Sequence, residues 1–125
     1  MQIWIFGNPD LEMDSLPIKI IDDLKAQFPK HDFLFKDPND SWENLPSKLV
    51  IIDTIMGIEK VTTFTSLEDF QNVPRLSMHD FDLGTKLKWL QKIKKLPPFV
   101  IIGIPMGVSV SKILDDVNMI LKKIK

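Results

Sequence analysis

Short apolar runs alternate with longer amphipathic stretches along this chain, and that alternation sets most of what can be expected of it. Gln2 to Phe6, Phe33 to Phe35, Lys48 to Asp53 and Phe99 to Ile104 are rich in β-branched and aromatic residues and too short for helices, so each predicts a strand. Between the first two, Leu16, Ile20, Leu24 and Phe28 repeat at helical spacing, with Ile21 widening the buried stripe. Asp14 or Ser15 is placed to cap that helix, Pro17 suits its first turn, and Pro29 stops it. The segment Lys36 to Ser47 carries a turn signal, Asp37-Pro38-Asn39-Asp40, and then Trp42 and Leu45 in one expected helical turn. Lys60 to Thr65 is β-rich but follows the third strand too closely for a crossover helix, which predicts an antiparallel edge strand in a hairpin. Ser66 to Met78 reads as a polar loop. A second helix is expected from His79 or Asp80 to Lys95, with Leu83, Leu87 and Leu90 on its stripe and Trp89 and Ile93 beside them. The last helix is expected over Ser111 to Ile124, its core face made by Ile113, Val117, Ile120 and Ile124, with Leu114 and Leu121 flanking.

Strands that alternate with helices imply an α/β domain: a three-layer α/β/α sandwich on a mostly parallel five-stranded sheet with one antiparallel edge strand. The 125 residues suffice for a single domain over 1–125 with its own core. A hydrophobic share of 44% beside 26% charged residues is that of a globular chain, not a disordered one. The net charge of -1 offers no electrostatic case for nucleic acid. No cysteine is present, which removes disulfides, thiolate ligands and cysteine nucleophiles from consideration. The opening residues are too short and uncharged for a signal peptide, and no apolar stretch approaches the roughly 20 residues needed to span a bilayer. A cytoplasmic monomer without membrane contact is therefore expected.

Candidate chemistry lies where apolar runs meet loops. Asp14 follows the first strand across a loop that opens Gly7-Asn8-Pro9, Asp53 directly follows Leu49-Val50-Ile51-Ile52, and His79 opens a helix after Ser77-Met78. Acids emerging after neighbouring parallel strands share one edge of the sheet, which is where open α/β folds bind ligands. Each residue also has a structural reading: Asp14 as a helix cap, Asp53 as a turn residue, His79 as an ordinary first-turn residue. The positive end of a helix favours the neutral imidazole that binds metal. Two carboxylates and an imidazole suit zinc or nickel and leave coordination positions open. His31 reads as a solvated loop residue. A receiver domain also places acids after its first and third strands, but it needs a lysine before the last proline where this chain has Gly103-Ile104-Pro105. A flavin-binding domain needs a phosphate-cradling loop, and Gly7-Asn8-Pro9-Asp10-Leu11 is a poor one.

Taken together, Ile5-Phe6-Gly7-Asn8-Pro9 followed by Asp14, Leu49 to Asp53 followed by Thr54-Ile55, Ser77-Met78-His79-Asp80 and Val100 to Pro105 resemble the hydrogenase maturation protease family across essentially the whole chain. The family's acidic loop, its aliphatic strand ending Asp-Ala and its Ser-x-His helix start fall here in the same order, and its Gly-x-x-Pro strand end has a counterpart, one residue shorter, in Gly103-Ile104-Pro105. The resemblance implies an endopeptidase that removes a C-terminal extension from the nickel-loaded large-subunit precursor of a nickel-iron hydrogenase. Asp14, Asp53 and His79 would contact the nickel, which the substrate carries, so no permanent cofactor is implied. The chain departs from the pattern at Met13, where the family has the first of two acids, and at Ser15-Leu16-Pro17, where it has glycines; Glu12 is the nearest compensating acid. Its Lys36 to Ser47 segment is also short for the family. The competing implication is a non-catalytic protein of the same fold that binds a metal-bearing or peptide partner.

Overall fold

A computed structural model describes residues 1–6, 16–37, 42, 44–73 and 77–124, and at 16–19 and 79 it describes the backbone alone. Its elements are β1 (Gln2–Phe6), α1 (Leu16–Gln27), β2 (Asp32–Phe35), β3 (Leu49–Thr54), β4 (Thr62–Phe64), α2 (Leu67–Gln71), α3 (Met78–Lys92), β5 (Phe99–Ile104) and α4 (Val110–Lys123). The five strands form one sheet in the order β2-β1-β3-β5-β4, parallel except for β4, which pairs antiparallel with β5 at the edge.

Each face of the sheet has its own core, which explains why β1, β3 and β5 are apolar at almost every position. On one side Ile3, Ile5, Val50, Ile52, Val100 and Ile102 meet α1 and α4 through Ile20, Leu24, Ile113, Val117 and Leu121. On the other, Trp4, Phe6, Leu49, Ile51 and Ile101 meet α2 and α3 through Leu67, Phe70, Leu83, Leu87 and Leu90. The three-layer sandwich with one antiparallel edge strand is thus the architecture of the protein. Among the described residues no helix is long and apolar enough to cross a membrane.

Several local expectations need correction. The edge strand is not a hairpin partner of β3, because β5 lies between them. The loop expected over 66–78 contains α2, a five-residue helix that buries Leu67 and Phe70. No helical turn forms at the described residues from Trp42 to Ser47, and Asn44 takes a left-handed φ of 55°. There Trp42 packs onto the sheet with Leu45 against the same core: its ring stands edge-on to Trp4 at 5.1 Å and tilted against Phe6 at 5.8 Å, while its Nε1 donates to the Asp37 carbonyl. Trp89 and Ile93 turn outward on α3 instead of joining the core stripe. The ammonium of Lys86 lies over the rings of both Trp42 and Trp89. On α4, Leu121 is buried where Ile120 was expected, and Ile120 and Ile124 are partly exposed.

The end of α3 comes earlier than Lys95 for a reason visible in its hydrogen bonds. Lys95 N donates to the Leu90 carbonyl and Lys94 N to the Gln91 carbonyl, with Lys94 at a φ of 61°. This is a Schellman ending with lysine in the left-handed position that usually falls to glycine. Lys94→Gly is expected to stabilise the protein by about 0.5–1 kcal/mol, because the side chain's clash with its own backbone disappears. Urea unfolding would show a higher midpoint at an unchanged slope, and a lower midpoint would contradict the account.

His31 is half-buried, not solvated as expected: it stacks on Phe28 with ring centroids 5.6 Å apart, and its Nδ1 is buried without a hydrogen-bond partner among the described residues. Its pKa lies below the ordinary 6.5, first because burial removes water from the ring and second because the N-terminal ammonium repels the added proton. The unfolded chain therefore binds more protons than the folded one between the two pKa values. This contribution to stability is present above pH 6.5 and is lost as the pH falls through the folded value. Urea unfolding from pH 7.5 down to pH 5 should show a decline that His31→Gln makes shallower, and parallel curves for the two proteins would exclude His31 as its source.

Candidate functional site

The parallel strands place Phe6, Asp53 and Gly103 side by side at the C-terminal edge of the sheet, Asp53 pairing with both neighbours in register. Alternation along β3 sends Val50 and Ile52 to the α1 and α4 layer and Leu49 and Ile51 to the α2 and α3 layer. Asp53 therefore faces the α2 and α3 layer. Strand pairing continues one residue beyond it, to Thr54, so the acid is enclosed by the sheet's end and only 1% exposed. A carboxylate so sheltered from water is rare unless it is paired or used.

Gly103 is needed beside it for a steric reason. A Cβ there would lie 2.7 Å from Ile55 Cδ1, 3.1 Å from Ile58 Cδ1 and 3.2 Å from Phe64 Cε2. These three side chains close over the bare glycine and wall one flank of the Asp53 position. Thr54 points to the opposite layer, where its buried Oγ1 has no hydrogen-bond partner among the described residues.

The second contribution comes from the start of α3. The far end of that helix, at Lys88 and Gln91, lies with Thr65 and Phe99 around one cavity at the N-terminal edge of β5. Its first turn is consequently carried to the C-terminal edge, the edge of Asp53. Ser77 caps the helix, its Oγ accepting from Asp80 N at 3.1 Å. His79 is the second residue of α3 and so stands in the turn that the helix brings to this edge. Asp14 lies outside the described residues, and so does the side chain of His79. Of the three expected site residues, Asp53 alone has a described side chain; among the described residues no group of three or more acids and histidines comes together.

Sequence reasoning passed over Asp80. It is 1% exposed and shares the buried stripe of Leu83, Leu87 and Leu90. Ser77-x-x-Asp80 reads as a capping box, in which the acid would accept from the serine N–H. Only half of that box is made: both carboxylate oxygens of Asp80 are buried with no hydrogen-bond partner among the described residues. The signal was available in the spacing 80, 83, 87 and 90, which puts an acid in line with the leucines of an apolar face.

Comparison with known protein families and with curated proteins finds no match to this chain. Its fold is shared with the solution structure of an endopeptidase from Escherichia coli, at a TM-score of 0.61 and 15% sequence identity over 98% of this chain and 93% of that one. The likeness is one of architecture over nearly the full length of both.

Proposed function

We propose that this chain is an endopeptidase of the hydrogenase maturation type, which recognises nickel held by a hydrogenase large-subunit precursor and releases the precursor's C-terminal extension. The observation that carries the reading is Asp53, a carboxylate enclosed at the C-terminal edge of the parallel sheet, on the face covered by the layer that includes the helix whose first turn contains His79. An oxygen donor and a nitrogen donor brought to one edge are of the right kind for nickel. The fold shared with an endopeptidase supports the class of reaction. In this reading Asp14, Asp53 and His79 contact the metal of the substrate, and a carboxylate accepts a proton from the attacking water. No permanent cofactor is required, and the protein acts as a monomer on its partner.

A second reading, binding without cleavage, draws on Met13 and on Ser15-Leu16-Pro17, which replace an acid and glycines of the resembled pattern. Incubation with a nickel-loaded precursor, followed by mass measurement of the products, separates the two. Loss of a C-terminal peptide supports the enzyme. An intact precursor that nevertheless co-elutes with the protein favours the binder, and neither cleavage nor co-elution excludes both.

A further inference from the structure

Asp80 has no part in the site as the sequence motifs define it, yet it is the most anomalous acid among the described residues. Its carboxylate is as buried as that of Asp53. A favourable interaction with the helix terminus does not account for this, because its gain is small beside the cost of taking a carboxylate out of water. Nor does capping, since neither oxygen accepts a hydrogen bond among the described residues. A buried carboxyl group is retained where something pairs with it or where it is used.

The position says what the use is. Asp80 lies in the first turn of α3, on the stripe that faces the sheet, at the edge where Asp53 enters the same layer. Two sheltered carboxylates thus face one layer from opposite walls, one on the sheet and one on the helix. Carboxylate oxygens on facing walls are donors that a divalent cation binds, and the cation would supply the partner that both Asp80 oxygens lack among the described residues. We infer that Asp80 is a carboxylate donor to a divalent cation held beside Asp53, either as a direct ligand or by accepting from a cation-bound water. This rests on the proposed reading of the Asp53 edge as the metal-contacting one, and it extends the donor set by a residue that the motif resemblance does not assign.

The test is calorimetric titration of Ni²⁺ alone into the full chain and into Asp80→Asn and Asp53→Asn, with thermal melting of each protein in the metal-free state. The expected result is a loss of Ni²⁺ affinity of at least tenfold in Asp80→Asn, the size typical of groups that orient or support a metal. Its metal-free melting temperature should equal or exceed that of the parent, because the amide is cheaper to bury than an unpartnered carboxylate. A purely structural acid predicts the reverse, a lower melting temperature at unchanged affinity, and that outcome overturns the assignment. If Asp53→Asn weakens binding and Asp80→Asn does not, Asp80 is excluded while the reading of the edge stands. Weakening in Asp80→Asn alone keeps Asp80 and removes Asp53, and failure of the parent to bind Ni²⁺ overturns the cation site inferred here while leaving the reading of a substrate-borne nickel to the precursor cleavage test.

Discussion

Asp53→Asn is expected to slow release of the C-terminal peptide from a nickel-loaded precursor by about a thousandfold, which corresponds to about 4 kcal/mol in the barrier. The substitution keeps the size and planarity of the side chain while removing the charge. A neutral amide is a weaker donor to a cation than a carboxylate and cannot take a proton from an attacking water, so both roles open to Asp53 fail together. Its enclosed position adds to the effect: at 1% exposure there is little room for bulk water to substitute as donor or base. Near-UV circular dichroism that matches the parent would show that chemistry and not packing was lost. Cleavage within a factor of ten of the parent would remove Asp53 from the reaction.

The largest expected effect on stability comes from a residue of the short helix. Phe70 is fully buried, stands edge-on to Phe64 with ring centroids 5.7 Å apart, and lies 3.5 Å from where a Cβ on Gly84 would be. It thereby joins β4, α2 and the middle of α3 in one contact. Phe70→Ala should destabilise the protein by roughly 3–5 kcal/mol, the usual cost of emptying a buried aromatic site. For a domain whose total stability is on the order of 5–15 kcal/mol this is a large share, and the melting temperature should fall by roughly 10–20 °C. Gln71→Ala, one residue along on the exposed side, should stay within about 0.5 kcal/mol. Equal losses in the two variants would show that α2 is not held by Phe70. Because α2 braces α3, and α3 carries His79 and Asp80 to the sheet's edge, Phe70→Ala also tests whether the site depends on that brace.

How much of this could be read from the sequence depends on the range of the signals involved. The strands β1, β3 and β5 were legible because a strand covered on both faces must be apolar throughout, and that pattern is local. Asp53 stood out for the same reason, as an acid set against four aliphatics. The partner of β4 was not legible: antiparallel character follows from a short connection, but the neighbour is decided by the arrival of β5 much later in the chain. A helix of five residues such as α2 shows too little periodicity to be distinguished from a loop, and its formation depends on Leu67 and Phe70 finding the core. Trp89 and Ile93 look like core residues in a helical projection; the stripe of Leu83, Leu87 and Leu90 already fills the available contact. Asp80 was hidden by a motif that explains it too easily, since Ser-x-x-Asp at a helix start ordinarily needs no further account. Asp14 lies outside the described residues, so its place relative to Asp53 is not compared with the sequence expectation.

The placement of β5 between β3 and β4 also governs how the chain can assemble as it is synthesised. Every residue of β3 pairs with the residue fifty positions further on, from Leu49 with Phe99 to Thr54 with Ile104. Until that segment has left the ribosome, β3 has an unsatisfied row of backbone groups on one side, and β4 has no strand to join. Closing the sheet therefore waits on the last third of the chain, and contacts of such long sequence separation place folding toward the slow end for a domain of this size. The enclosure that shelters Asp53 is in this sense a late event, completed only when Gly103 and the residues around it dock.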